Sequence, residues 1–366
     1  MPTINEGFAL LSEQFMLMAG LAYAVAFCAY AWDLVTYSKT VRRGLAVESA
    51  GGTASAGVAA DETNRLVGVG ASGAIGQDLG AGPLDRGVRP SSKTHDGSDG
   101  ITAGDSMRYG KVKRRAARVA VAITVVAAVV HGLAVLFRGL AAGRVPWGNM
   151  YEFCTTGGFT VALIFLLVLT RRDLRFLGTF VIGLVLLMIT AASVSFWTPA
   201  GHLVPALQSY WLIIHVSIAV MSSSLFTLTF AMSVLQLLQS RRESSIASGK
   251  PDKALVMRLV PNSLSLENMS YRINAIAFVG WTLTLMFGSI WAEKAWGRFW
   301  GWDTKEVWTF VIWVVYAGYL HARATRGWTG TRAAWLSIVG YLCVVFNFTI
   351  VNVYFSGLHS YAGVSS

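Results

Sequence analysis

The chain has 366 residues, of which 54% are hydrophobic and only 13% charged, with a net charge of +11 and a mean hydropathy of +0.53. Soluble domains carry about 25% charged residues, so composition excludes an ordinary water-soluble fold and points to an integral membrane protein. The basic excess then reads as the bias of cytoplasmic loops, not as a nucleic-acid surface.

The first apolar run carries Glu6 and Glu13 and has no basic leader. It is long enough to span, so residues 1–37 are predicted to be a first transmembrane helix and not a cleaved signal. Residues 38–117 are basic at both ends (Lys39, Arg42, Arg43; Lys111, Lys113, Arg114, Arg115) and rich in Gly, Ala, Ser, Thr and Asp between. Such a stretch buries too little apolar surface to offset ordering, and a disordered cytoplasmic linker is expected. Further apolar runs near 118–137, 153–170, 174–194, 209–238, 271–290, 306–322 and 333–354 place seven more helices in a core from 118 to 366. Lipid offers no partner to a bare backbone, so the expectation is an all-α protein of eight transmembrane helices. Basic residues fall in every odd connection, among them Arg171, Arg172, Arg241, Arg242, Arg323 and Arg326. Both termini are therefore expected outside. The cysteines Cys28, Cys154 and Cys343 lie in or beside apolar runs and form no CxxC, which supports neither a disulfide framework nor a dithiol centre.

Between the sixth and seventh predicted helices, residues 291–308 hold five of the thirteen tryptophans: Trp291, Trp296, Trp300, Trp302 and Trp308. Interfacial anchoring accounts for two or three of them; five in one external loop read as a platform for a large flat ligand. Lys294, Arg298 and Lys305 lie in this loop against the charge rule. Either they meet an anionic ligand, or they pair with Glu293, Asp303, Glu306 or lipid phosphates. Asp303 and Glu306 also have the spacing of a capping box, so local structure accounts for both acids.

Histidine in or beside a spanning helix is costly. His215, early in helix 5, and His359, after helix 8, are both expected at the outer face, level with the tryptophan loop. Two imidazoles and an aromatic shelf at one depth suit a porphyrin, with an axial nitrogen on each face of the iron and the anionic propionates near Lys294, Arg298 or Lys305. His321 lies about fifteen residues into helix 7, roughly 20 Å deeper. It is either a ligand to a second haem that needs a partner's histidine, or a side chain snorkelling to the inner interface. His131 reads equally as packing or ligand, His202 sits in an outer loop, and His95 falls in the linker. No zinc-type spacing, P-loop or dinucleotide fingerprint is present.

The stretch 291–308 resembles the tryptophan-rich "WWD" signature of haem-handling proteins in cytochrome c maturation, and among them the CcsA (ResC) family. The likeness extends to Pro146–Glu152, to Trp211-Leu-Ile-Ile-His215 and to Gly357-Leu-His-Ser-Tyr361, and covers about 118 to the C-terminus. Thr304 stands where the family usually has proline, and Trp147-Gly148 where it has Leu-Ser. The resemblance implies a haem-export and holocytochrome c synthase module that binds haem b, acting in the cytoplasmic membrane with a ResB-type partner on apocytochrome c. It implies His215 and His359 as external axial ligands, the loop 291–308 as the haem holder, and His321 as a membrane-embedded ligand whose opposite number comes from the partner. A b-type electron-transfer subunit, which needs four paired histidines, and a transporter for another anion, which commonly shows internal repeats, are the alternatives.

Overall fold

The computed structural model describes residues 4–66, 106–109, 114–325 and 327–359. Among these it is all-helical: α1 (Glu6–Leu66), α2 (Arg115–Ala142), α3 (Met150–Leu169), α4 (Gly178–Ser195), α5 (Tyr210–Ala247), α6 (Ser263–Trp296), α7 (Thr304–Ala324), α8 (Thr331–Phe348) and the short α9 (Ile350–Tyr354). Seven segments are long and apolar enough to cross a membrane: Glu6–Thr36, Arg115–Ala142, Met150–Leu169, Arg175–Ser195, Tyr210–Ala247, Ser263–Trp296 and Thr331–Tyr354. The eighth expected helix, 306–322, exists as α7 with 21 residues but is not among them. Its Trp, Tyr, Lys305, Glu306, His321 and Arg323 dilute its Val and Ile. Where the sequence reading starts a linker at 38, α1 continues in helical form to Leu66; this stretch contains no proline to stop it. Residues 67–105 and 110–113 of the expected linker, with His95, lie outside the described residues.

Close helix approach explains the packing. On α2, Ala120, Ala127 and Ala134 recur every seven residues and are fully buried, as are Ala19 and Ala26 on α1. Small side chains let the backbones meet, and Ser12 Oγ reaches the Ala134 carbonyl at 2.8 Å. The same rule operates between α5 and α6. Gly280, Thr284 and Gly288 lie four apart on one face of α6, and a Cβ at Gly280 would collide with Ser222 Oγ. A Cβ at Gly288 would lie 2.8 Å from the His215 ring.

Buried polar groups lock the bundle. Thr229 Oγ1 donates to Asn274 Oδ1 (2.6 Å), Asn274 Nδ2 to Ser337 Oγ (3.1 Å), and Ser233 Oγ to Ser337 Oγ (3.1 Å), tying α5, α6 and α8 together. Such interhelical bonds contribute about 0.6 kcal/mol each. Outward positions such as Leu17, Leu21, Leu187 and Val194 are exposed and apolar, as a lipid-facing surface requires.

Candidate functional site

One cavity opens where α5, α6, α7 and the α8–α9 junction converge, with about 1080 Å³ of empty space including the part continuous with solvent. His215, Trp291, Trp300, Lys305 and His359 line it, and so do Trp147–Met150 from the turn before α3.

His215 stands in the second turn of α5, which Ser209 caps by accepting the Trp211 N–H. Its Nδ1 lies 3.0 Å from the Thr284 carbonyl. A carbonyl only accepts, so Nδ1 carries the proton and Nε2 is left as a free lone pair. The ring stacks on Trp291 (5.9 Å, 9°), and Trp291 is fixed by donating Nε1–H to the Ala206 carbonyl at 3.1 Å.

His359 is fixed by the tryptophan loop itself. Its Nδ1 lies 2.7 Å from Asp303 Oδ2, which again leaves Nε2 free. Asp303 Oδ1 accepts the Leu358 N–H at 3.2 Å, an approach that needs Gly357, where a Cβ would collide with the same oxygen. Asp303 caps α7 as well, within a complete capping box with Glu306. The local reading of the two acids was therefore right and incomplete, since the cap residue also holds a candidate ligand. The bond from His359 holds the Asp303 carboxyl below the ordinary carboxylate range. Trp291 (5.5 Å) and Trp296 (4.8 Å) meet the His359 ring edge-on.

The loop tryptophans divide. Trp291 and Trp300 line the cavity and Trp296 packs on His359. Trp302 is 73% exposed and Trp308 packs on Phe346 of α8 (4.3 Å), both off the cavity wall. Arg298 folds back against Gly301 and also stays off it. Lys294 is exposed and pairs with Glu293 at 2.9 Å.

His321 is exposed near the far end of α7, roughly 25 Å along the helix from its first turn. His131 is fully buried among Tyr23 and Phe159, which is a packing role, and His202 is exposed and off the cavity wall.

Residues that sequence reasoning did not single out complete the walls: Trp281, Thr284, Gly288, Asn347, Phe348 and Asn352. One ion cluster supports the wall from outside. Glu152, 0% exposed, binds Arg138 (3.0 Å) and Arg144 (2.8 Å) and accepts the Gly148 N–H at 2.7 Å. It thereby holds the Trp147–Met150 turn on the cavity.

The family model described as cytochrome C assembly protein matches residues 147–359, a span that starts and ends on cavity-lining residues. The chain belongs to the cytochrome c assembly protein family. It is 34% identical over 275 residues to the cytochrome c biogenesis protein CcsA of Synechococcus sp. (strain RCC307), covering 69% of this chain and 87% of that one. It is 31% identical to the CcsA of Porphyra purpurea over 67% of this chain and 87% of that one. Against the CcsA of Prochlorococcus marinus (strain AS9601) the identity is 34% over 66% and 84%. The resemblance read from 291–308 is thus a family relationship, and the protein is a multi-pass membrane member of it.

Proposed function

We propose that the chain takes part in cytochrome c biogenesis by binding haem b in this cavity, with His215 and His359 as axial ligands, and presenting it for attachment to an apocytochrome c CxxCH. The observation that carries the reading is the matched state of the two imidazoles. Each lines the cavity, and each has Nδ1 committed to an acceptor, so Nε2 is the nitrogen left to bind iron. A hydrogen bond to the second ring nitrogen is the usual support for a metal-bound histidine. Indole walls suit the flat faces of a porphyrin.

Bound haem would supply the two vinyl groups to which the cysteine thiols add. The residues of this chain hold and shield. Asp303 and the Thr284 carbonyl orient the ligand nitrogens, Trp291 buttresses both rings, and Trp296 buttresses that of His359. Their contribution is position, which can lower a barrier by holding reactants in register. The basic connections between helices support an arrangement in the cytoplasmic membrane with this cavity on the outer side. The exposed His321 supports a second haem contact shared with a ResB-type partner, since an ionisable side chain on a helix surface in the membrane calls for a companion.

The test is replacement of His215 or His359 by Ala. Bound haem in the purified protein and mature cytochrome c in the cell should both fall, with partial recovery on adding imidazole. Normal haem content and normal maturation in both variants would refute the ligand assignment.

A further inference from the structure

We infer that Lys305 receives a carboxylate of the bound porphyrin and so makes the cavity selective for the free acid over its esters. This rests on the haem reading above.

Of the three basic residues in and beside the tryptophan loop, only Lys305 lines the cavity. Its Nζ donates to Asn352 Oδ1 at 2.9 Å and to the Asn347 carbonyl at 3.4 Å, and it stands 5.1 Å over the Phe348 ring. All three partners are neutral. No carboxylate lies within ion-pair distance of it among the described residues. Asp303, two residues before it, gives its oxygens to His359, the Leu358 N–H and the Lys305 backbone N–H. Glu306, which also lines the cavity, gives Oε2 to the Gly301 and Asp303 N–H groups, while its Oε1 is buried without a partner.

The cage is also held from outside. Asn352 Nδ2 donates to Met150 Sδ at 2.8 Å, which turns the amide oxygen toward the ammonium. An ammonium has three protons to give, and two are engaged. The third proton is left for whatever enters the cavity. A buried cation with no ion-pair contact is costly, and an anionic arm on the ligand lowers that cost. Trp147 lines the same cavity, and its Nε1–H is buried without an acceptor.

The experiment is a titration of the full-length, haem-free protein in detergent with haem and with haem dimethyl ester, read by the Soret band and by tryptophan quenching. Wild-type protein should bind the ester about 10- to 100-fold more weakly, the value of a charge-assisted hydrogen bond. Lys305→Met should bind both forms equally and weakly while keeping the wild-type melting temperature without haem. Equal affinity of wild-type protein for the two forms, with both ligated through His215 and His359, would overturn the inference and leave the haem reading standing. Failure to bind either form would remove the haem reading and this inference together. Loss of the preference on adding phosphatidylglycerol vesicles would assign Lys305 to a lipid phosphate and overturn it as well.

Discussion

Asp303 caps one helix and grips the histidine that closes the cavity: its Oδ2 lies 2.7 Å from His359 Nδ1, while its side chain also accepts the Lys305 N–H at the start of α7. The loop therefore cannot shift without moving His359. Asn is as good an N-cap as Asp, which lets the two roles be separated. Asp303→Asn should keep the melting temperature of the protein but lower its haem affinity, by about 10- to 100-fold for loss of a support to a metal-bound histidine. Asp303→Ala should lose the cap as well, at about 1 kcal/mol. Calorimetry and haem titration of the pair would check it; equal effects of both variants on stability would contradict the separation.

Gly288 is a test of helix approach. Alanine there gains about 0.5–1 kcal/mol of helix propensity, yet its Cβ would sit 2.8 Å from His215 Cε1, and the ring must move. Gly288→Ala should melt near the wild-type temperature and bind haem with an altered absorption spectrum or not at all. A wild-type spectrum would show that the ring is not pinned there.

Glu152 answers two guanidinium groups in a buried setting. Removing one partner of such a cluster leaves charge buried without compensation, at about 3–5 kcal/mol. Glu152→Gln should lower thermal stability by that order and free the Trp147–Met150 turn. Faster hydrogen exchange at Gly148 would report the second effect.

The Asp252 carboxyl, after α5, is lowered to about 2 by hydrogen bonds and charge from Arg242 and Arg258. A depressed carboxylate stabilises the fold above its unfolded value of 3.8 and ceases to do so as pH falls through the folded one. Hydrogen-exchange protection of residues 250–260 should therefore be flat above about pH 4 and decline from there toward about pH 2. In Asp252→Asn the protection should be lower and independent of pH across that window.

Much of this was legible in the chain as written. The apolar runs placed α2 to α8, because backbone in lipid has little choice but to be helical, and they did not separate the short α9 from α8. They did not show that α7 lacks the apolarity of the other seven spans, since its Trp, Tyr and charged residues serve the cavity and the polar ends. The capping box at Asp303 could be read from spacing, because a cap is a local affair. The bond from the same carboxylate to His359 could not, since 56 residues separate them. Likewise the sequence offered Lys294, Arg298 and Lys305 as equals. Which cation faces the cavity depends on helix rotation, on Gly301 admitting the Arg298 side chain, and on Asn352 of α9 arriving from another part of the chain.

By itself, then, the order of residues determined a helical membrane protein with a tryptophan-rich loop and two candidate ligand histidines near it, because hydrophobic length and local capping act over a few turns. Only the tertiary structure decided that His215 and His359 share one cavity, that Trp302 and Trp308 leave it, and that Lys305 stays in it without an ion-pair contact. Those outcomes depend on how closely α5 and α6 approach at Gly280 and Gly288, and on contacts between segments far apart in the chain.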